Sequence, residues 1–282
     1  MNLSEKIFEL IKSCGVVACR MQEGIINEGK EVEHLKDETN AHYAMRQAKT
    51  KVDDMVQEMI LKGLYPWCKD DVFLDVEEDT ITVSAYKKKD ASYGIIVDPI
   101  DGTLPYINQS DEYSICLGIT HQHDFVLAVV YFPKKDELYY YGVNHGVRYY
   151  SQASQKCFEE YEKLNIESHK HCHIIIKNAR VKEQVLQPFI DEGYTIIDDS
   201  EEGYNCPKAI LALLYDEIDA YLCDHRNLRD VLLAVIYSHL AHACCFDFDG
   251  NKIVWEKQGR QPSIFISNDE KCINSLKKVK KI

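Results

Sequence analysis

Two features are missing from the sequence, and each absence excludes a class of partner. No stretch approaches the roughly 18 uninterrupted apolar residues that a membrane-spanning helix needs. Positive charge is also scarce, because 33 Lys and Arg against 46 Asp and Glu leave a net charge of -13. Binding to a nucleic acid or an acidic membrane requires basic surface that replaces counterions. We therefore expect neither a nucleic-acid polymer nor a membrane as partner.

Paired cysteine motifs are missing as well. The 11 cysteines are odd in number and scattered, and none forms a CxxC pair. The chain opens with the amphipathic stretch MNLSEKIFELIKSCG instead of an apolar signal segment. These features predict reduced thiols and a cytoplasmic protein.

The pattern of apolar residues divides the 282-residue chain into two halves. Helical periodicity runs over 3–25 and, after a polar loop, over 41–64. Strands dominate from there to residue 150, whereas strands and helices alternate afterwards, with a helix over 229–243 and a terminal strand pair within 244–255. We predict an α+β half over 1–160 and an α/β half over 161–282.

The stretch GIIVDPIDGTLPY, residues 94–106, ends an apolar strand on two carboxylates, Asp98 and Asp101. One interpretation is a simple turn, in which Pro99 and Gly102 set the backbone and the Asp side chains bond to nearby N–H groups. The other is a metal site, because carboxylates held close together repel each other unless a cation lies between them, and oxygen ligands suit Mg²⁺. The residues of this stretch leave both interpretations open.

Other carboxylates also stand where strands or helices end. Glu77 and Glu78 follow the apolar run FLDV, and Asp230 begins an apolar helix. The motif DPIDGT, with an acidic pair about 20 residues before it, resembles the first signature of the inositol monophosphatase family. The later segments AVVYFPKKDELYYYGVNHGVRYY, IDAYLCDHRNLRDVLLA and ACCFDFDGNKI resemble further parts of that family in the same order.

The resemblance implies a fold, an activity and a set of metal ligands. The fold is the layered αβαβα sandwich of the inositol monophosphatase and fructose-1,6-bisphosphatase type, of mixed α+β and α/β class. The activity is Mg²⁺-dependent, lithium-sensitive hydrolysis of a phosphorylated small molecule by a homodimer, with two or three Mg²⁺ per site. The implied ligands are Glu77, Asp98 and the backbone carbonyl of Ile100 for one ion, and Asp98, Asp101 and Asp230 for a second.

The resemblance also implies which residues handle the water and the phosphate. Thr103 would orient the attacking water with Asp53 as its partner, and helical phase favours Asp53 over the adjacent Asp54. The N–H groups of Gly102 and Thr103 would receive phosphate oxygens. Glu78 is either a base near the metals or an exposed side chain.

The sequence departs from the family pattern where substrate specificity resides. Cys223 takes the place of a glutamate that contacts a substrate hydroxyl in inositol monophosphatases, and a thiol is a poor substitute for that acceptor. Lys208 lies about one residue from a lysine typical of bisphosphate nucleotidases, and Arg229 replaces a tryptophan. The alternatives are therefore a 3'(2'),5'-bisphosphate nucleotidase, a fructose-1,6-bisphosphatase, or a non-catalytic relative that binds phosphorylated ligands.

Overall fold

A computed structural model shows that the chain forms two compact units, Met1–Lys163 and Leu164–Ile282. The structure describes residues 2–34, 39–68, 71–86, 91–122, 124–164, 171–240, 243–256 and 259–279. Among these residues, no helix combines the length and the apolar character needed to cross a membrane.

The first unit contains helices packed on a six-stranded sheet. Its helices are α1 (Leu3–Met21), α2 (Asn40–Gln47), α3 (Lys51–Cys68), α4 (Val83–Tyr86) and α5 (Thr103–Ile107). Its strands are β1 (Val72–Val76), β2 (Tyr93–Asp101), β3 (Ser114–His121), β4 (Asp124–Phe132), β5 (Glu137–Gly142) and β6 (Gly146–Ser151). The strands lie side by side in chain order. Strands β1 and β2 are parallel, and all later neighbours are antiparallel.

The buried faces of α1 and α3 cover the sheet and form the core of this unit. Ile7, Phe8 and Ile11 of α1 recur at helical spacing and are buried with Val56 and Ile60 of α3. Helix α1 begins with a capping box. The N–H of Glu5 donates to the Asn2 side chain, and the N–H of Asn2 donates to the Glu5 side chain. The helix ends at Met21, four residues before the predicted end.

The helical pattern predicted over 41–64 is interrupted in the structure. Helix α2 ends at Gln47, and Ala48 is extended with ψ of 129°. Thr50 then caps the next helix, because its Oγ1 accepts a hydrogen bond from Val52 N at 3.1 Å. The prediction of a single helix was wrong. The apolar spacing continues across Ala48 and Thr50, where the extended backbone and the Thr50 cap end one helix and begin the next.

The edge of the sheet that leads to Asp98 requires a glycine at position 94. A Cβ atom added there would lie 2.3 Å from Cζ of Phe73 and 2.5 Å from Oγ1 of Thr120. Both neighbours flank it in the sheet, since Gly94 pairs with Phe73 on β1 and with Thr120 on β3. The aromatic ring of Phe73 therefore covers a site that only glycine leaves open.

We expect Gly94→Ala to lower the free energy of unfolding by about 1–3 kcal/mol, because overpacking forces neighbouring side chains to move. Urea unfolding monitored by circular dichroism measures the change. The double variant Gly94→Ala, Phe73→Ala should recover part of the loss, because the ring that clashes is gone. A Gly94→Ala variant as stable as the natural protein would contradict the close packing.

The second unit contains a five-stranded sheet with helices. Its strands are β7 (Ile174–Lys177), β8 (Thr195–Asp198), β9 (Ala220–Cys223), β10 (Cys244–Phe246) and β11 (Ile264–Ser267). Its helices are α6 (Glu183–Asp191), α7 (Cys206–Leu214), α8 (Leu232–Ser238) and α9 (Glu270–Leu276). The strand order is β10-β11-β9-β7-β8. Strand β7 lies between β8 and β9 and runs parallel to both, as the alternation of strands and helices predicts.

Two predictions for the end of the chain were wrong. The terminal strand pair does not form within 244–255, because β10 pairs with β11, and an isolated bridge from Phe246 to Lys252 is what remains of the predicted hairpin. The helix predicted over 229–243 begins as a 3-10 turn, Leu228–Val231, before α8. Residues 241 and 242 of that prediction lie outside the described part of the chain.

Candidate active site

The ends of β1 and β2 bring the first carboxylates together. In the parallel register Val76 lies across from Val97, so Glu77, just beyond β1, and Asp98, within β2, follow this pair in the same direction. Asp98 is only 5% exposed and Asp101 only 8% exposed. Burial of ionisable carboxylates is expensive unless cations or donors accompany them, and it is typical of a functional site.

A bulge in β2 accounts for the unusual spacing of Asp98 and Asp101. Asp98 pairs with Cys116 and Asp101 with Ser114, so three steps along β2 correspond to two steps along β3. Side chains three residues apart in a regular strand point to opposite faces. The extra residue shifts that alternation between the two carboxylates. The motif therefore works as an irregular strand end instead of a free turn.

The chain turns sharply directly after these carboxylates. Gly102 has φ of 96°, a left-handed conformation that glycine adopts without steric cost, and α5 starts at the next residue. The turn brings the Thr103 side chain back to the strand, where its Oγ1 lies 3.0 Å from the carbonyl oxygen of Ile100. The sequence DPIDGT thus determines a strand, a bulge and a turn in six residues.

Helix α3 contributes Asp53, whose side chain is fully buried. Thr103 Oγ1 donates to Asp53 Oδ1 at 3.1 Å, and Thr50 donates to Oδ2 through its N–H at 2.9 Å and its hydroxyl at 2.6 Å. The adjacent Asp54 is 40% exposed and pairs with Lys49 at 2.9 Å. The structure therefore places Asp53, and not Asp54, beside Thr103.

The pKa of Asp53 is raised to about 6, mainly by burial and also by the charge of Glu77, although hydrogen bonds from Thr50 and Thr103 act in the opposite direction. A carboxyl group with a pKa near neutrality can accept and release a proton under ordinary conditions. Asp53 is thus the carboxylate of this group whose environment suits proton transfer.

Glu78 lies in a different environment, between two lysines. Lys30 Nζ is 2.6 Å from Glu78 Oε1, and Lys49 Nζ is 2.7 Å from Oε2. Burial raises the pKa of Glu78, but the hydrogen bonds and charges of both lysines outweigh it, and the pKa is lowered. A carboxylate held in its charged form is a weak proton acceptor, so this environment argues against the predicted role of Glu78 as a base.

Lys30 also reaches the neighbouring carboxylate, with Nζ 2.5 Å from Glu77 Oε1. The segment that contains Lys30 is attached to the end of α2 and to the link between α2 and α3. Glu28 N donates to Lys49 O and Lys30 N donates to Gln47 O, each at 2.8 Å. The sequence analysis did not predict a role for Lys30 or Lys49. Lys30 stands in a polar loop, and the carboxylates that it contacts are more than 40 residues away. No periodicity or motif indicates such a contact.

The described residues of the first unit contain a group that could hold a metal ion. Asp53, Glu77 and Glu78 each offer a carboxylate oxygen, and these oxygens lie within 4.8 Å of one another. The donors are all oxygen atoms, which is the ligand chemistry that Mg²⁺ prefers. These residues therefore fit a hard divalent cation.

Asp230, the predicted ligand from the second half, lies in the 3-10 turn at the start of α8. Asn227 Nδ2 donates to Asp230 Oδ2 at 3.3 Å, and Arg229 Nε is 4.0 Å from Oδ1. Arg229, which stands where the family pattern has a tryptophan, therefore places its charge beside the Asp230 carboxylate. The role of Asp230 as a metal ligand stays a prediction.

Two residues predicted to contact substrate make contacts with other residues of the second unit. Cys223 is fully buried in β9, opposite Ile264 of β11. Lys208 Nζ lies 4.5 Å above the Tyr204 ring and 3.5 Å from the carbonyl oxygen of Gly203. The burial of Cys223 does not favour direct contact with a substrate, and both roles stay predictions.

A second group of metal-ligating side-chain types, His171, Asp219 and Asp269, also lies within the described residues. Asp219 accepts hydrogen bonds from the backbone N–H groups of Cys172 and Ile174, at 3.1 and 2.8 Å. Asp269 caps α9. These bonds give both carboxylates a structural role without an ion.

Comparison with known proteins places this geometry in a family. A staphylococcal IMPase-I solved with its products has 18% sequence identity, with a TM-score of 0.71 over 99% of this chain and 96% of that chain. An IMPase/NADP phosphatase solved with Mg²⁺ and phosphate has 19% identity, with a TM-score of 0.69 over 95% of this chain and 91% of that chain. These likenesses confirm the predicted fold class.

The sequence itself identifies the family. The model of the inositol monophosphatase family matches residues 9–195, which is most of the chain. The chain therefore belongs to the inositol monophosphatase family, as the motifs predicted. A curated relative, the inositol-1-monophosphatase of Rhizobium meliloti (strain 1021), is 31% identical over 93 residues, which are 33% of this chain and 32% of that protein. The matched region thus spans about a third of the curated relative.

Proposed function

We propose that the protein is a Mg²⁺-dependent phosphoric monoester hydrolase of the inositol monophosphatase type. The observation that carries the proposal is the Asp53–Thr103 hydrogen bond of 3.1 Å, directly beside the buried carboxylates that end β2. A hydroxyl group linked to a buried carboxylate can orient a water molecule, and the acidic strand ends can hold the cation that such a water needs. Family membership supports the same reaction class.

The proposed ligands are the residues that the family resemblance implies. Glu77, Asp98 and the carbonyl oxygen of Ile100 would hold one ion, whereas Asp98, Asp101 and Asp230 would hold a second. The Ile100 carbonyl oxygen lies 3.0 Å from Thr103 Oγ1 and has lone pairs that could bind an ion. When bound, Mg²⁺ lowers the pKa of a water molecule and neutralises charge on the phosphate oxygens. The solved IMPase/NADP phosphatase holds Mg²⁺ and phosphate, which supports this choice of ion.

Thr103 and Asp53 would direct the proton of the attacking water. The Thr103 hydroxyl donates to Asp53, so its oxygen lone pairs remain to accept a hydrogen bond from water. As the water oxygen forms its bond to phosphorus, its proton passes through Thr103 to Asp53, whose raised pKa suits that transfer. The ester P–O bond breaks in line with this attack, and the released alcohol oxygen takes a proton from solvent.

The proposed substrate is a phosphorylated small molecule. The structural neighbours are inositol monophosphatases and an IMPase/NADP phosphatase, so inositol phosphates and NADP are the first candidates. Cys223 removes the carboxylate expected for inositol recognition, which keeps adenosine 3',5'-bisphosphate and fructose 1,6-bisphosphate among the candidates. We further propose a cytoplasmic homodimer that Li⁺ inhibits, as its family membership suggests.

The test is a phosphate-release assay on these four substrates, each with Mg²⁺, with EDTA and with Mg²⁺ plus Li⁺. We expect turnover on at least one substrate that EDTA abolishes and Li⁺ suppresses. The substrate with the highest kcat/KM would decide among the alternatives. Calorimetric binding of a phosphorylated ligand without turnover on any of them would instead indicate a non-catalytic relative.

A further inference from the structure

Gln57 is a fully buried polar residue on the helix that carries Asp53. The two residues are four positions apart in α3, so their side chains lie one above the other on the same helix face. Glutamine is seldom completely buried, because both its amide groups then need partners. The position of Gln57 above the proposed catalytic Asp53 makes those partners informative.

Both polar groups of the Gln57 amide bind the same backbone residue. Nε2 donates to the carbonyl oxygen of Glu78 at 2.5 Å, and Oε1 accepts from the N–H of Glu78 at 2.9 Å. Nε2 also lies 3.2 Å from Thr80 Oγ1. The side chain therefore pairs with the backbone of Glu78 as a neighbouring strand would.

This pairing fixes the two peptide bonds that flank Glu78. One of them joins Glu78 to Glu77, a proposed metal ligand. Residues 77 and 78 lie beyond the end of β1, where ladder hydrogen bonds to β2 have ended. Loss of Gln57 would remove these two bonds from the backbone beside Glu77, whereas Lys30 would still contact the Glu77 carboxylate.

Helix α3 thus fixes two strand ends from adjacent turns. Asp53 binds Thr103, which follows β2, and Gln57 binds Glu78, which follows β1. Because one rigid helical turn separates the two contacts, it sets the distance between the elements that carry Glu77 and Asp98. Metal affinity depends on such distances being correct before the ion arrives.

We propose that Gln57 is a positioning residue that holds the Glu77–Glu78 backbone in register with Asp53 and thereby sets the affinity for the divalent ion. The inference rests on the proposed function, since it concerns the same metal ligands. Only a side-chain amide provides a donor and an acceptor at this reach, so the role is specific to the glutamine. Gln57 itself contacts neither ion nor substrate.

The test compares Gln57→Met with two matched control variants. Methionine keeps the length and volume of the side chain but removes both bonds to Glu78. Thr80→Val keeps both Glu78 bonds but removes the additional contact at 3.2 Å and a side-chain hydrogen bond to Glu58. Val56→Ala destabilises the same helix from a buried site in the hydrophobic core, and thus reports what lost stability alone does. Mn²⁺ affinity is measured by isothermal titration calorimetry without substrate, and melting temperatures are recorded for all variants.

We expect Gln57→Met to weaken Mn²⁺ binding about tenfold or more, as loss of a group that orients a metal ligand typically does. Thr80→Val and Val56→Ala should bind Mn²⁺ within about twofold of the natural protein, because neither alters the two Glu78 bonds. In the phosphate-release assay, kcat of Gln57→Met should recover as Mg²⁺ is raised, whereas KM for substrate should stay constant.

Two results would overturn the inference. Gln57→Met could bind Mn²⁺ as tightly as the natural protein, or Val56→Ala could lose affinity to the same degree at a similar melting temperature. Either result leaves the proposed function standing. A natural protein that binds no divalent ion would instead contradict the proposed function and this inference together.

Discussion

Asp98→Asn is expected to reduce kcat for Mg²⁺-dependent phosphate release about 10³-fold, since metal stabilisation of transition-state charge is worth several kcal/mol. Asp98 is the one side chain proposed to bind both ions, so its neutralisation weakens both at once. An asparagine has nearly the same shape and stays inside the buried strand end, where Asp98 is only 5% exposed. The loss should therefore come from charge and not from packing.

Asp124→Asn provides a matched control for that variant. It makes the same substitution in the same sheet, on the exposed first residue of β4. Asp124 pairs with His121, which pairs with Tyr93 at the opposite end of β2 from Asp98. Phosphate release over a range of Mg²⁺ concentrations, with circular dichroism to verify the fold, should show a loss for Asp98→Asn alone. Full activity of folded Asp98→Asn would refute the proposed metal site.

The family resemblance predicted the proposed chemical centre of the site, because the motif that carries the resemblance is contiguous. DPIDGT places a strand end, two carboxylates, a left-handed glycine and a threonine within six residues, and each has a local physical reason. Helical phase and the spacing to Glu77 together favoured Asp53 over Asp54.

The residues that support the centre could not be predicted from local patterns. Gln57 binds backbone 21 residues away, and Lys30 reaches Glu77 across 47 residues. Such contacts depend on how α3 and the preceding polar segment pack on the strands, which periodicity does not encode. The pairing of β10 with β11 was missed for a related reason, because a short adjacent hairpin is the simpler local solution.

Asp53→Asn is expected to change activity and stability in opposite directions. Without the proposed proton acceptor, kcat should fall about 10²-fold or more, the usual contribution of a positioned acid or base. Without metal, the same variant should be more stable than the natural protein at pH 8. The reason is that Asp53 is buried as a charge, and burial raises its pKa to about 6 from an ordinary value of 3.8.

The sign of this effect follows from proton linkage. A carboxyl group with a raised pKa in the folded state stabilises the fold below its unfolded pKa of 3.8, and that contribution is lost as the pH rises through about 6. The complete loss corresponds to about 3 kcal/mol, since one pKa unit is about 1.4 kcal/mol. Asparagine stays neutral, but its amide is a poorer partner for Thr103, at a cost of about 1 kcal/mol. The net gain at pH 8 is therefore about 2 kcal/mol.

Urea unfolding in EDTA at pH 8 and at pH 4 measures this difference, with Asp54→Asn as the neighbouring control. Asp54 is 40% exposed and pairs with Lys49, so its replacement should change both activity and stability little. The advantage of Asp53→Asn should disappear near pH 4 and shrink when Mg²⁺ stabilises the natural protein. If Asp53→Asn were instead less stable at pH 8 and fully active, Asp53 would be a structural cap of α3, because its bonds to Thr50 would then be its whole role. A stabilised, inactive variant would show that the charge is retained for catalysis at the expense of the fold.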